Sequence, residues 1–416
     1  MSHDTDDGLV TPESRFARAG REIVTGSFLI TVLAVLLALI VGAILIVAFD
    51  PNVQKASAYF FARPSDTLVA IGQSVGGAYS ALFRGGIYDF TAPSFATGIT
   101  SLFTSLNYAV PLIAAGLGLA VGFRAGVFNI GGQGQILIAG AFAGWVGFTL
   151  PLPPVIHMVV AVLAALVGGA IWAGIVGLLK AKTGAHEVIV TIMLNYIAFY
   201  LIDYLLHTPV LQAPGSQNPQ SPAEQPSAVF FNLIGPQYPF NFGFILVLAA
   251  TIFCWWLLSR SGLGFRLRAV GENPRAARVA GINVGRMFIV AMVISGILLG
   301  LAGAYQVLGQ TTTGFGNDFD AGIGVSAITV ALLGRSRPWG VFAAGIAFGI
   351  LQAGGSVMQA SQNIDVDIVQ VIQSVIVLFI AAPPLVRAIF RLPAPGARPH
   401  KAAPVGAAPI ANKAGA

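Results

Sequence analysis

The chain has 416 residues, of which 56% are apolar and 9% are charged, and its mean hydropathy is +0.81. A soluble domain carries roughly 25% charged residues, so this composition excludes a soluble globular protein and indicates an integral membrane protein surrounded by lipid. The net charge of +6 comes from segments between apolar runs, so it requires no nucleic-acid partner. The single cysteine, Cys254, excludes an intrachain disulfide and a cysteine-based metal site.

The first apolar run, residues 27–49, is long enough to cross a hydrocarbon core of ~30 Å as a helix. It is too long for the apolar part of a signal peptide, so we expect it to remain as a membrane anchor. Residues 50–92 are semi-polar and are predicted to form surface or interfacial helices. Nine further apolar runs predict an all-α polytopic fold with about ten transmembrane helices: residues 95–123, 135–152, 154–178, 187–206, 241–259, 287–308, 321–334, 339–358 and 368–389.

The distribution of Lys and Arg predicts the orientation of these helices, because cytoplasmic loops carry the excess of positive charge. If the N-terminal segment 1–26 is cytoplasmic, all but three of the 22 Lys and Arg residues lie in cytoplasmic segments. The loop 207–240, rich in Pro, Gln and Ser, contains neither residue and is predicted to lie outside. Both termini are therefore predicted to be cytoplasmic, with a transmembrane domain over residues 27–392 and a disordered tail over 393–416.

A polar, glycine-rich motif, GFRAGVFNIGGQGQ, follows the second apolar run and contains the amides of Asn129, Gln133 and Gln135. An irregular backbone at membrane depth is tolerated only where it is buried in protein or lines a wet cavity. The motif therefore predicts part of a pathway wall. The alternative is a simple cytoplasmic turn between two helices.

A second polar motif begins the run at residues 187–206. Glu187, Thr191 and Asn195 follow one another at a spacing of four residues, so they lie on one face of a helix. Asn195 is ~12 Å along the helix from Glu187, near the middle of the membrane. Polar groups at this depth bind either a neighbouring helix or a substrate, and the residues leave both interpretations open.

A third polar motif extends from Gln306 to Gly334 and again joins a glycine-rich segment to an apolar run. The run at 321–334 is short for a membrane span, so we expect it to start from a broken or re-entrant segment at residues 314–322. Two interrupted segments of opposite orientation are what an inverted repeat leaves in a sequence. Asp318 and Asp320 are interpreted as solvated loop acids.

Residues 260–286 form a basic island between two apolar runs, with six arginines and one acid, Glu272. Its centre predicts a short helix with Asn273 as the N-cap, Pro274 in the first turn and Gly281 in the left-handed position after the end. A capped helix projecting from a membrane protein favours a docking element. The alternative is a solvated loop that only sets the topology.

Several motifs are missing from the sequence. The residues before Lys182-Thr183 lack the glycine of a phosphate-binding loop, so the chain is not expected to bind ATP in that way. The sequence contains no H-E-x-x-H motif, and its apolar runs lack the acid cluster of a membrane-embedded hydrolase or transferase, which argues against an enzyme and against a metal or other cofactor. Carboxylates within the apolar runs are nearly missing, although ion-coupled carriers usually need them there.

Four motifs together resemble one known family: GVFNIGGQGQ, HEVIVTIMLNYIA, ENPRAARVAGINVGR and DFDAGIGVSAITVALLGR. They are similar to the permease subunits of bacterial ABC importers in the sugar and branched-chain amino acid permease superfamily, specifically the nucleoside-importing branch. The resemblance covers about residues 108–387. Gln133 departs from the family motif, which often has an acid there.

The resemblance implies that the chain lies in the cell membrane and works with several partners. These are a cytoplasmic ABC ATPase, a second homologous permease that completes a heterodimer, and an extracytoplasmic lipoprotein that binds the substrate. The basic island then resembles the helix that couples the permease to the ATPase. The residues that match this coupling element are Glu272, Asn273, Arg275, Arg278 and Gly281.

The expected function is uptake of a neutral polar solute, with nucleosides first. The motivation is that the expected pathway offers amides and hydroxyls instead of fixed charges. The alternatives are import of simple sugars, an ion-coupled secondary transporter, and a non-transporting membrane scaffold. The residues expected to line the pathway are Asn129, Gln133, Gln135, Thr191, Asn195 and Gln306.

Overall fold

The computed structural model describes residues 27–362, 364 and 366–391, so the predicted terminal segments 1–26 and 393–416 lie outside the described residues. Within the described part the regular structure is helical, apart from one isolated bridge between Asn232 and Asn241. The α-helices are α1 Ser27–Phe49, α2 Pro51–Ser57, α3 Pro64–Gly86, α4 Phe95–Gly98, α5 Thr100–Arg124, α6 Gly132–Thr149, α7 Ile156–Thr183, α8 Glu187–Leu206, α9 Gly243–Arg260, α10 Gly262–Glu272, α11 Pro274–Val279, α12 Val284–Tyr305, α13 Ile323–Leu333, α14 Pro338–Gln362, α15 Val366–Ala381 and α16 Pro383–Ile389.

Seven helices of the described chain are long and apolar enough to cross a membrane, and each coincides with a predicted run. They are α1, α5 with the preceding turn α4, α7, α8, α9, α12 with the π-helical turn that follows it, and α14. Of the ten predicted spans, the structure therefore supports seven.

The other three predicted runs form helices that are shorter or less apolar than these seven. Helix α6 begins with the polar sequence GQGQ, and α13 has only 11 residues, about 17 Å of helix. Helix α15 has 16 residues and ends before Pro383, which starts α16. The structure thus supports a polytopic all-helical fold, and the three remaining runs stay predictions as membrane spans.

The semi-polar residues 50–92 form the helices α2 and α3, and α3 packs antiparallel to α14. Backbone contacts hold this pair together: a Cβ on Gly86 would lie 2.6 Å from the carbonyl oxygen of Ile350. The helical character of this segment was predicted correctly. Its packing against α14 was not predicted.

Helix α5 forms the centre of the bundle, since nearly every residue from 109 to 122 is buried. Helices α7 and α12 pack along most of their length, with backbones so close that a Cβ on Gly300 would lie 2.6 Å from the carbonyl oxygen of Ala165. Small residues at such contacts allow the van der Waals packing that holds helices together in lipid. The many glycines within the apolar runs thus build the bundle.

The chain between α12 and α13 is irregular, as the glycine-rich sequence predicted. A π-helical turn at Gln306–Gln310 is followed by a non-helical segment up to Gly322, in which Gly314 has a φ of +111° and Gly322 a φ of +71°. This segment returns along α6, where Phe315 contacts Gly144 and Phe319 contacts Gly140. The irregular segment thereby places the start of α13 beside the start of α6.

Candidate functional site

The starts of α6 and α13 lie against each other, and the two glycines at the contact, Gly132 and Gly324, are buried. A Cβ on Gly132 would lie 2.9 Å from the carbonyl oxygen of Gly324, and a Cβ on Gly324 would overlap the backbone nitrogen of Gln133. The N-terminus of a helix carries unpaired N–H groups and about half a positive charge. Two such ends at one place require acceptor groups, and the predicted pathway residues lie around this point.

Asn129 and Gln135 form a buried amide pair at the break before α6. The Asn129 Nδ2 donates to Gln135 Oε1 at 3.2 Å, and the Gln135 Nε2 donates back to Asn129 Oδ1 at 3.2 Å. Asn129 also donates to the hydroxyl of Ser295 on α12 at 3.0 Å and accepts the N–H of Gly131. Sequence reasoning missed Ser295, whose only signal is a lone hydroxyl in an apolar run.

Helix α8 presents Glu187, Thr191 and Asn195 to this break, on one face as predicted. Asn195 bridges the broken segment, because its Oδ1 accepts the N–H of Gly134 at 2.9 Å and its Nδ2 donates to the carbonyl of Ile130 at 3.0 Å. Thr191 is fully buried and donates to a carbonyl of its own helix.

Glu187 fixes the first turn of α8. Its carboxylate forms an ion pair with Lys180 of α7 at 2.5 Å and accepts the N–H of Phe128 at 3.4 Å. The carboxylate of Glu187 therefore connects the start of α8 to the end of α7 and to the break before α6.

The segment before α13 contributes Gln306 and Asp320. The Gln306 Nε2 donates to the carbonyl of Phe319 at 2.8 Å, and the Gln133 Nε2 donates to Asp320 Oδ1 at 3.4 Å. Asp320 is only 3% exposed, so its interpretation as a solvated acid was wrong, whereas Asp318 is exposed as expected. Among the described residues, Gln306 Oε1 and Asp320 Oδ2 have no hydrogen-bond partner.

The structure thus brings all six predicted pathway residues together around the two helix starts. Gln133 and Asn195 are partly exposed, whereas Asn129, Gln135, Thr191 and Gln306 are enclosed in this conformation. We call this group the polar centre: Asn129, Gln133, Gln135, Thr191, Asn195, Gln306 and Asp320.

The basic island folds into α10, α11 and the turn that leads into α12. The Asn273 Oδ1 accepts the N–H groups of Arg275 and Ala276, each at 3.0 Å, so Asn273 is the N-cap of α11 as predicted. Pro274 occupies the first turn, and Gly281 has a φ of +81°, as the sequence indicated. Glu272, Arg275 and Arg278 are exposed.

One side of α11 is anchored and the other is free. Ala277 is buried in a small apolar cluster with Leu267, Val270 and Met287, whereas Val279 is 91% exposed. A single exposed valine is ordinary on a protein surface, so its exposure alone assigns no partner. Sequence reasoning missed Val279, because its exposure depends on which side of this short helix is anchored.

A direct contact joins the basic island to the break before α6. A Cβ on Gly271 would lie 3.0 Å from the backbone nitrogen of Gly126 and would overlap the carbonyl oxygen of Arg124. The end of α10 therefore packs on the chain that leads from α5 to Asn129.

The loop 207–240 covers the other end of α6. Its Gln225 donates through Nε2 to the carbonyl of Phe148 at 3.1 Å, and its Ser221 exchanges hydrogen bonds with the backbone of Phe315. Glu224 is 6% exposed and packs against Gly144 and Gly147 of α6. Neither carboxyl oxygen has a hydrogen-bond partner among the described residues, and burial raises the pKa of Glu224 to about 8.

Seven described helices are able to cross a membrane, α6 and α13 start at one polar centre, and the short basic helix α11 is exposed. Together these features are typical of a membrane transport subunit. Residues 101–381 match the family described as the permease component of the branched-chain amino acid transport system. The chain belongs to this family of ABC transporter permeases and is a multi-pass protein of the cell membrane. A comparison with solved structures gave no significant match.

Three relatives illustrate the range of the similarity. The chain is 33% identical over 315 residues to the guanosine ABC transporter permease protein NupP of Bacillus subtilis, covering 76% of this chain and 88% of NupP. It is 33% identical over 344 residues to the glucose ABC transporter permease protein TsgB13 of Haloferax volcanii, covering 80% and 90%. It is 28% identical over 256 residues to the guanosine permease NupQ of Bacillus subtilis, covering 60% and 79%.

The family confirms the resemblance that the motifs indicated. The chain is a non-catalytic transmembrane subunit, and ABC permeases work with an ATPase and a binding protein. Family membership contradicts the two alternatives that needed no ATPase, an ion-coupled carrier and a non-transporting scaffold.

Proposed function

We propose that the chain is the permease subunit of an ATP-driven nucleoside importer. The observation that carries the proposal is its similarity over most of its length to NupP, which is named for guanosine. The polar centre supports it, because amides and a hydroxyl surround two acceptor atoms, on Gln306 and Asp320, that lack a donor. A nucleoside supplies N–H and O–H donors and no charge.

Import of a simple sugar is the second candidate. TsgB13 is named for glucose and is as similar to this chain as NupP is. A sugar also carries hydroxyl groups that suit amide acceptors.

Uptake of radiolabelled guanosine, uridine and glucose, measured in cells with and without this chain, tests the two candidates. We expect nucleoside uptake to require the chain and to be sensitive to vanadate, with glucose uptake unchanged. The reverse pattern would replace nucleosides by sugars.

The second part of the proposal concerns partners and orientation. Because NupP and NupQ are two guanosine permeases of one organism, we expect this chain to pair with a second homologous permease in a heterodimer. The ATPase contacts the basic island from the cytoplasm, and the lipoprotein delivers the solute on the side of the loop 207–240. Helices α6 and α13 then lie in two halves of the chain that have opposite orientations in the membrane, as in an inverted repeat.

Single cysteines test this orientation. The only native cysteine, Cys254, is buried, so Cys254→Ser gives a background without thiols. In that background a cysteine at Val279 should react with an impermeant thiol reagent only in inside-out vesicles. A cysteine at exposed Asn218 should react only in intact cells, and the opposite labelling would overturn the orientation.

The third part assigns α11 as the element that the ATPase holds. Replacing Val279 with Glu, or Arg275 and Arg278 together with Glu, should release the ATPase in co-purification while leaving the chain in the membrane. The control is Lys182→Glu, which reverses an exposed charge on the same predicted side. If the ATPase stays bound to the α11 variants, the docking site lies elsewhere.

The fourth part is the route by which ATP hydrolysis moves the polar centre. Movement of α10 and α11 reaches the chain before α6 through the contact of Gly271 with Arg124 and Gly126. Gly271→Val should separate these backbones, so that the assembled complex hydrolyses ATP with little uptake. Gly262→Val, where no atom lies within 4 Å of the added Cβ, is the control. Equal uptake by both variants would contradict the route.

A further inference from the structure

Three arginines from three separate parts of the chain converge on one surface cavity of about 340 Å³. Arg124 ends α5, Arg268 lies on α10, and Arg337 immediately precedes α14. Arg124 is partly neutralised by backbone, since it donates to the carbonyl oxygens of Ser336 at 3.0 Å and Arg335 at 3.4 Å. Arg268 and Arg337 are exposed, and neither makes an ion pair within the described residues.

This arrangement favours an anion. Like charges brought to one place repel each other, and none of the described residues lining the cavity is acidic. Arginine guanidinium groups bind phosphate with paired N–H donors, and several of them around one cavity suit a phosphate better than a single carboxylate.

The surroundings of the cavity place it at the boundary between lipid and water. Trp255 and Trp339 also line it and are 40% and 48% exposed. Tryptophan is enriched at membrane interfaces because its ring is apolar and its N–H is polar. The guanidinium of Arg260 lies 6.0 Å from the ring of Trp255, so a further positive charge borders the cavity.

An aromatic track leads away from the cavity between α9 and α14. The ring of Trp339 lies 5.9 Å from that of Phe342, which in turn lies 6.2 Å from that of Phe244. Such a track provides an apolar surface for an acyl chain that descends from a headgroup in the cavity. A soluble protein partner would explain the arginines but not a track that continues into the membrane-crossing helices.

We propose that this cavity binds the phosphate headgroup of an anionic phospholipid, with Arg268 and Arg337 as its principal ligands and Arg124 as a support. Arg268 belongs to α10 and Arg337 to the connection before α14, so the lipid bridges the basic island to the helix bundle. The bound lipid is then part of the surface on which the coupling segment rests.

The test uses the purified full chain and two lipids with identical acyl chains, phosphatidylglycerol and phosphatidylcholine. Native mass spectrometry measures the affinity of each lipid for the unaltered chain and for the double variant Arg268→Gln/Arg337→Gln. We expect phosphatidylglycerol binding to weaken about fivefold for each arginine neutralised, with phosphatidylcholine binding unchanged. The pair Arg268→Lys/Arg337→Lys, which keeps the charge, should retain part of the binding.

The matched control is Arg63→Gln/Arg391→Gln, which removes the same charge from two exposed arginines that do not line the cavity. An equal loss in both glutamine pairs would show diffuse attraction to charge and overturn the site. Unchanged phosphatidylglycerol binding accompanied by loss of a co-purified ATPase would make the cavity a protein interface and equally overturn it. If the glutamine pair does not give monodisperse protein, the lysine pair decides: its phosphatidylglycerol binding must fall below that of the unaltered chain, with phosphatidylcholine binding unchanged, and equal binding would overturn the site.

Discussion

Glu224 is predicted to make the loop 207–240 sensitive to pH. The carboxyl is buried against α6, neither oxygen has a hydrogen-bond partner among the described residues, and burial raises its pKa from 4.5 to about 8. At neutral pH the buried carboxyl of Glu224 is therefore protonated in the folded chain, whereas the same group in the unfolded chain is ionised. Folding takes up a proton at this position.

The magnitude follows from the two pKa values. Each pH unit between them lowers the free energy of unfolding by about 1.4 kcal/mol. Between pH 4.5 and pH 7 the folded chain therefore loses roughly 3 kcal/mol of stability. Because folding raises the pKa of Glu224, this contribution to stability is complete below pH 4.5 and is lost as the pH rises through about 8. Glu224→Gln keeps a neutral side chain at every pH and should remove this dependence.

Thermal unfolding of the purified chain at pH 5, 7 and 8.5 measures the effect. The melting temperature of the unaltered chain should fall as the pH rises, and that of Glu224→Gln should fall less. Limited proteolysis within residues 207–240 should show the same order. The control is Glu272→Gln, which alters an exposed carboxylate and should keep the slope of the unaltered chain. Parallel slopes for Glu224→Gln and the unaltered chain would refute the reasoning.

Three further substitutions test individual contacts. Gly324→Val should cost about 1–3 kcal/mol, measured as a lower melting temperature, because the added atoms overlap the backbone at the start of α6; Gly72→Val, placed in open space, should not. Asn195→Leu should cost about 1–3 kcal/mol, because it leaves a buried N–H at the start of α6 without an acceptor, and an unchanged melting temperature would contradict this. Asn273→Ala should remove about 1 kcal/mol of capping, seen as faster hydrogen exchange confined to α11; unchanged exchange there would show that the cap is unimportant.

Features determined by neighbouring residues could be predicted from the sequence. The cap, first turn and end of α11 were predicted correctly because Asn273, Pro274 and Gly281 act within a few residues of their own position. The break before α13 was also predicted, because polar and glycine-rich sequence inside an apolar region favours an irregular backbone that neighbouring protein must enclose.

Features that depend on distant residues could not be predicted. The partner of Asn129 on α12, Ser295, is 166 residues away, and Gln133 and Asp320 are 187 residues apart. The sequence around Asp320 looks like a solvated loop, and only the return of this segment along α6 buries it. Hydropathy alone likewise does not determine the number of spans, because the apolar runs at α6, α13 and α15 form helices that are shorter or less apolar than the other seven.

The polar centre has a structural role that does not depend on a solute. Two helix starts that face each other bring unpaired N–H groups and two positive dipole ends together, so acceptors must surround them. Asn195 accepts the N–H of Gly134, and the carboxylate of Asp320 lies at the start of α13. A solute that donates hydrogen bonds can use the remaining side-chain acceptors, on Gln306 and Asp320. If the polar centre lies on the solute pathway, as we propose, an uncharged, donor-rich solute suits it better than an anion, which would meet the carboxylate of Asp320 there.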